Sequence, residues 1–250
     1  MSPVIILARK EAGELVFSPR GIAWLLTTSA ALSVFALLLV GSTELSLLDN
    51  AEVVYDMAGL VTALGALLAI VVGNDSIAGE RERGSLIPLL LTPMSSRALV
   101  TGKIGGLAVA WVLMLLIALP YFWAVGSTGQ NLITGIVGVG FLGTPVVLGF
   151  GLFALGLAPR LSASRSSLIA ALIALLVSSS PLLIGASLRQ SAVGRVFDAI
   201  NPFSAAANAF DAVIIDSEPL SAQAGRLGLT IIWLAITAWF ALSGVRHLTR

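Results

Sequence analysis

The segment from Gly21 to Val40 reads GIAWLLTTSAALSVFALLLV and carries no formal charge. A helix of about 20 apolar residues, each rising about 1.5 Å, crosses the ~30 Å hydrocarbon core of a bilayer. The run is longer than the apolar centre of a usual signal peptide, and no small-residue cleavage site ends it. The sequence therefore predicts a membrane-spanning helix that is retained in the protein.

Five further uncharged apolar stretches have lengths near that of a membrane span: residues 57–74, 104–125, 132–158, 166–188 and 227–245. Overall, 57% of the 250 residues are hydrophobic and 11% are charged, whereas a soluble domain carries about 25% charged residues. Polar residues gather in clusters between the runs, which argues against a large soluble core. We therefore predict an all-α polytopic membrane protein with six transmembrane helices. The pair Thr144-Pro145 predicts a kink or break in the fourth helix.

Lysine and arginine divide unevenly between alternate loops. One side holds eleven of them, and the other holds three. The larger group is Arg9, Lys10, Arg20, Arg81, Arg83, Arg97, Lys103, Arg160, Arg165, Arg246 and Arg250, and the smaller is Arg189, Arg195 and Arg226. Because positive residues concentrate in cytoplasmic loops, both termini and the loops after the second and fourth spans are predicted to be cytoplasmic. The expected location is the cell's inner (plasma) membrane.

Two segments outside the spans are predicted to be helical. Residues Val4 to Phe17 place apolar side chains on one stripe, formed by Ile5, Ala8, Ala12 and Leu15. Such a stripe predicts a helix that lies in the cytoplasmic interface of the membrane. The outer segment 189–226 contains Asn201-Pro202-Phe203 and an apolar stretch from Ala205 to Ile215, which predicts a helix partly embedded in the outer leaflet.

Several kinds of chemistry are disfavoured by what the chain contains. It has no cysteine, one histidine (His247) and a net charge of +1, so no metal site, thiol chemistry or nucleic-acid partner is expected. The only Gly-Lys pair, Gly102-Lys103, is not part of a phosphate-binding loop. No ionisable group lies deep in a predicted span, which disfavours an ion-coupled carrier and a membrane-embedded enzyme. An ion-coupled secondary transporter or a non-transporting scaffold remains the alternative.

The loop from Asp75 to Lys103 has the most distinctive pattern. Residues 77–97 read IAGERERGSLIPLLLTPMSSR, so a leucine-rich segment lies between two charged clusters on the cytoplasmic side. Such a segment is predicted to lie on lipid headgroups or to dock into a protein partner. A simpler interpretation is that the charges only solvate a helix end and mark topology.

The loop resembles the first cytoplasmic loop of type-2 ABC exporter permeases, the family that includes the NosY-like subunits. Matching residues occur in the family's order, with Ser85 where threonine is usual. They are Glu80, Glu82, Gly84, Leu86, Pro93, Arg97, Gly102 and Lys103. Ala8-Arg9-Lys10-Glu11 resembles the family's N-terminal interfacial helix, and Asn201-Pro202-Phe203 resembles an element before its last span.

The resemblance implies that residues 1–250 form a single transmembrane permease domain. It implies a coupling helix at Gly84 to Thr92 that docks into a separate ATPase subunit, which binds the ATP and Mg; this chain is expected to hold no cofactor. The residues expected to make or steer that contact are Glu80, Glu82, Arg83, Gly84, Leu86, Leu89, Leu90, Pro93, Arg97 and Lys103. It also implies a second permease subunit, identical or related, and export of a substrate. The largely apolar, uncharged spans suggest that this substrate is hydrophobic or amphipathic.

The fifth span contains a polar run, Ser178-Ser179-Ser180-Pro181. Hydroxyls inside a membrane helix usually bond to their own backbone or to a neighbouring helix. A proline after three serines additionally predicts a kink or a lining of the transport pathway. The run therefore predicts either hydrogen bonding within the bundle or a kink or pathway lining.

Overall fold

The computed structural model describes residues 3–41, 50–91, 95–127, 131–183 and 191–244. All regular structure in these ranges is helical. The α-helices are α1 (Pro3–Phe17), α2 (Pro19–Gly41), α3 (Asn50–Asn74), α4 (Glu80–Glu82), α5 (Leu86–Leu90), α6 (Ser96–Gly126), α7 (Leu132–Gly138), α8 (Thr144–Leu157), α9 (Ser164–Leu183), α10 (Ala192–Ile200), α11 (Pro202–Phe210) and α12 (Ala224–Ser243).

Within the described residues, five helical stretches are long and apolar enough to cross a membrane: Gly21–Leu39, Ala51–Glu82, Arg97–Gly126, Leu132–Leu157 and Leu220–Ser243. The predicted all-α polytopic fold is confirmed. The predicted fifth span corresponds to α9, whose apolar part is shorter, and the predicted end of that span at residue 188 lies outside the described residues.

The centre of the bundle is formed by α3 and α8, which pack closely because glycine removes side chains where they meet. A Cβ atom added to Gly73 would lie 2.3 Å from the carbonyl oxygen of Gly151, so that helix approach requires glycine. On the other side of α8, Gly149 and Gly156 leave room for Trp233 and Phe240 of α12. The glycine-rich sequence of the fourth span therefore serves close packing of three helices.

The predicted irregularity in the fourth span is a π-helical turn, Val139–Gly143, between α7 and α8. Pro145 lies in the first turn of α8, where its missing N–H costs little because the turn before it is already irregular. Thr144 is bound from the third span, since the indole nitrogen of Trp111 donates a 2.8 Å hydrogen bond to its hydroxyl.

In the outer segment, Asn201-Pro202-Phe203 starts α11. The side chain of Asn201 accepts a hydrogen bond from the backbone N–H of Phe203 at 3.0 Å, and its amide nitrogen donates to the carbonyl oxygen of Ser178 at 2.7 Å. Pro202 occupies a first-turn position of the helix, as is common. Protein, and not lipid alone, covers this helix, because Phe203, Ala206 and Phe210 are buried in the apolar core.

The polar run of α9 bonds mainly within its own helix. The hydroxyls of Ser179 and Ser180 donate to the carbonyl oxygens of Leu176 and Val177, at 3.2 and 2.7 Å. The backbone stays helical through Pro181 to Leu183. A pathway lining at Ser178 to Pro181 stays a prediction.

Candidate functional site

The second span continues beyond its predicted end at Asn74. A π-helical turn, Asp75–Gly79, connects α3 to α4, so the chain is helical from Asn50 to Glu82. The charged residues that predicted a loop here are good helix formers, and charge alone does not end a helix. The first part of the predicted loop therefore belongs to the span.

Gly84 ends this helix and sets the direction of the next one. Its φ of +72° is in the left-handed region, although a Cβ atom there would meet nothing within 4 Å. The glycine is thus required by backbone conformation and not by crowding. The hydroxyl of Ser85 donates to the carbonyl oxygen of Glu80 at 3.2 Å, which fixes the turn.

The segment predicted to form the coupling helix, Gly84 to Thr92, contains the short helix α5, Leu86–Leu90. Leu86 is buried, whereas Ile87 and Leu91 are 68% and 80% exposed. The side chains of Leu89 and Leu90, together with Thr92 and Pro93, lie outside what the structure describes. An apolar surface therefore faces outward from α5, anchored by Leu86.

A buried ion network includes Glu80, on the short helix α4 that precedes α5. The side chain of Lys103 on α6 has no exposed surface, and its ammonium lies 2.9 Å from Oε1 of Glu11 and 3.0 Å from Oε2 of Glu80. Nζ of Lys10 lies 3.3 Å from the other oxygen of Glu80. Three helices distant in sequence, α1, α4 and α6, are thereby joined through charges removed from water.

Glycines on α6 bring α1 close enough for these pairs to form. Cβ atoms added to Gly102 and Gly106 would lie 2.6 Å from Leu7 and 2.5 Å from Glu11. The inward face of α1 therefore runs through Leu7 and Glu11. Ile5 of the predicted apolar stripe is 53% exposed, and its contact with the membrane interface stays a prediction; the glycine groove and the ion pair with Lys103 hold α1 against α6.

Burial affects the titration of the α1 groups in the network. Burial raises the pKa of Glu11, and the nearby charge of Glu80 adds to this, while Lys103 opposes both. For Lys10, burial lowers the pKa, but the carboxylates of Glu80 and Glu14 outweigh it and leave the pKa raised. Because its pKa is raised, Glu11 takes up a proton at a higher pH than an ordinary glutamate does.

The other predicted polar residues divide by exposure. The sequence places Glu80 and Lys103 among the groups that steer docking, but both are buried and contact this chain. Glu82, Arg83 and Arg97 are exposed. Arg83 also pairs with Asp75, with Nη1 3.1 Å from Oδ2.

Sequence reasoning missed Glu11 and Arg81 as site residues. The guanidinium of Arg81 donates to the carbonyl oxygens of Ala158 and Leu161, at 3.2 and 2.8 Å, and so ties α4 to the end of the fourth span. The only signal for Glu11 was the Arg-Lys-Glu triplet, which does not reveal its partner 92 residues away.

Two comparisons with known proteins agree. The family described as ABC-2 family transporter protein matches residues 6–250. The chain is also similar to "Probable ABC transporter permease protein NosY" of Pseudomonas aeruginosa, with 28% identity over 274 residues, covering 96% of this chain and 94% of that protein. The resemblance noted in the sequence is thereby confirmed.

Proposed function

Because the chain belongs to the ABC-2 family of transporter proteins and is the membrane subunit of an ABC transporter, we propose that it couples ATP hydrolysis in a separate ATPase subunit to export of a hydrophobic or amphipathic substrate. ATP and Mg are bound by that partner. A second permease subunit completes the transport unit. The subunits work in the inner membrane, with both termini of this chain in the cytoplasm.

The observation that carries the proposal is the outward apolar surface of α5. Ile87 and Leu91 are among the more exposed large apolar side chains of the described residues, and they lie beside the exposed charges of Glu82 and Arg83. A short helix with apolar contacts and a charged border fits a groove in a protein partner. This surface is the proposed ATPase contact.

The buried ion network connects the proposed ATPase contact to the second span, the third span and α1. Since the chain is helical from Asn50 to Glu82, displacement of α5 moves the second span with it. Through Glu80 and Lys103, the same displacement reaches the third span, and through Glu11 it reaches α1. Removing one partner of a buried ion pair is strongly unfavourable, so these helices move together.

The predicted coupling residues fall into two groups, one that contacts the ATPase and one that positions the contact. Ile87, Leu91, Glu82, Arg83 and Arg97 meet the ATPase. The remaining described members position the contact: Glu80 and Lys103 from within, Gly84 through its backbone, and Leu86 as an anchor. The roles of Leu89, Leu90 and Pro93 as further contact residues stay predictions.

The proposal is tested by purifying the tagged chain from its native membranes and measuring associated ATPase activity. Ile87→Asp is expected to abolish co-purification of an ABC ATPase, identified by its phosphate-binding loop peptides. The matched control is Val193→Asp on α10. This side chain is 80% exposed and belongs to the segment predicted to lie on the other side of the membrane from α5. Equal recovery of the ATPase with Ile87→Asp and with the parent chain would contradict the proposed contact.

A further inference from the structure

A cleft of about 820 Å³ opens beside the ion network, between α1, α2, the cytoplasmic end of α3 and the start of α9. Its volume is within the range of pockets that hold small molecules, about 300–1,000 Å³. Glu11 and Glu80 belong both to its wall and to the network, so an occupant would lie directly against the groups that connect the helices.

The two ends of the cleft differ in chemistry. The end toward the membrane is lined by apolar side chains, among them Leu15, Trp24, Val71, Val72 and Leu168. The cytoplasmic end is lined by Glu14, Asp75, Glu82 and Arg83 together with the network carboxylates. The cleft is therefore amphipathic along its length.

Among the side chains that the structure describes, the carboxylates at the cytoplasmic end outnumber the cations paired with them. Arg83 pairs with Asp75, while Lys10 and Lys103 together offset Glu11 and Glu80. Glu14 only shares Lys10, at 3.4 Å. Among the described residues, no ion pair is formed by Glu82. Two carboxylates thus face this end with little compensation, which favours a cation.

An unpaired acceptor lies in the wall between the two ends. Asn74 is 4% exposed, and its amide nitrogen donates to the hydroxyl of Ser164 at 3.2 Å. Its Oδ1 atom is buried and has no hydrogen-bond partner among the described residues. Buried polar atoms are nearly always paired, so this oxygen is suited to accept from a donor that enters the cleft.

We propose that the cleft binds an amphipathic molecule with a cationic amine, its hydrocarbon part against Trp24 and Leu168 and its amine near Glu14 and Glu82. The N–H groups of the amine supply the donor that Asn74 lacks. The proposal rests on the proposed function only in treating the occupant as cargo; the binding itself needs no ATPase.

The test is binding of radiolabelled dodecylamine to the purified chain in phosphatidylcholine nanodiscs. The parent chain is expected to bind dodecylamine at least about tenfold more tightly than dodecanol, since a charge-assisted hydrogen bond is lost with the alcohol. The double variant Glu14→Gln/Glu82→Gln is expected to bind about tenfold more weakly than the parent. The control Asp216→Asn, an exposed outer residue, is expected to bind like the parent.

Equal binding of dodecylamine and dodecanol would overturn the proposal, as would unchanged binding by the double variant. The proposal would also be overturned if dodecylamine did not bind and Thr27→Cys cross-linked two copies of the chain. That result would show that a second copy occupies the cleft. Adding phosphatidylethanolamine to the nanodiscs identifies the source of the amine: competition indicates the lipid headgroup, and no competition indicates a soluble amphiphile. Because no ATPase is present, the result is independent of the co-purification experiment.

Discussion

Lys103 and Glu11 are 92 residues apart in sequence, yet the ammonium of one lies 2.9 Å from the carboxylate of the other in a largely buried site. Glu80 lies 3.0 Å from the same ammonium. One cation thus holds the N-terminal helix and the helix before the predicted coupling segment against the third span. The predictions below follow from this arrangement.

Replacing Lys103 should strongly destabilise the protein. Lys103→Met leaves the buried carboxylates of Glu11 and Glu80 without their central partner, which costs about 3–5 kcal/mol. Lys10→Met is the control, because Lys10 is half-exposed and an exposed pair contributes at most about 1 kcal/mol. Unfolding of both variants in mixed detergent micelles, followed by circular dichroism, measures the difference. Equal stability of the two variants would show that the network does not hold the helices.

Acid should act on this site through Glu11. Its pKa is raised above the ordinary value of 4.5, so the folded protein binds this proton more tightly than the unfolded chain does. The Glu11 contribution therefore lowers stability as the pH rises from 4.5 through the raised pKa. Glu11→Gln removes that contribution, and its stability should fall less steeply over this window than that of the parent.

The control for the acid prediction is Gly228→Ala, which changes no titratable group and adds a Cβ atom that meets nothing within 4 Å. Its pH profile of unfolding should run parallel to that of the parent. A parallel profile for Glu11→Gln as well would contradict the role assigned to burial.

Adding a methyl group at Gly106 should loosen α1. A Cβ atom there would lie 2.5 Å from the Cβ of Glu11, whereas Gly228 on α12 has nothing within 4 Å. The chain has no native cysteine, so Leu7→Cys, at a position 4% exposed, reports on docking. Maleimide should label it slowly in the parent background and several-fold faster with Gly106→Ala. Equally fast labelling with the control Gly228→Ala would contradict a specific groove.

Gly84 should tolerate asparagine better than alanine. Its φ of +72° costs about 1–2 kcal/mol for a residue with a Cβ atom, and asparagine adopts this region more readily. Gly84→Ala should therefore reduce the ATPase activity that co-purifies with the chain, and Gly84→Asn should retain more of it. The reverse order would show that the turn does not set the contact.

The lengths of the uncharged apolar runs were sufficient to predict the all-α membrane fold and the five described stretches long enough to cross a membrane, because about 20 uncharged residues leave few alternatives to a membrane helix. The side-chain contacts of the candidate site were harder to predict. The apolar stripe through Ile5 predicts an interfacial helix, but it does not reveal that α1 packs against glycines 102 and 106 or that Glu11 pairs with Lys103. Those partners lie on a distant helix, so local pattern does not identify them. Likewise, the family resemblance places Glu80 at the docking contact, whereas the structure buries it beside a lysine 23 positions later.

The central claim is that α5 is the surface on which the ATPase subunit docks. The direct measurement is maleimide labelling of Ile87→Cys and Leu91→Cys in the otherwise cysteine-free chain, with and without the bound ATPase, using Val193→Cys as the reference. The ATPase is predicted to protect Ile87→Cys on α5 and Leu91→Cys directly after it, and to leave Val193→Cys unaffected. Equal labelling of Ile87→Cys in the free chain and in the complex would contradict the account.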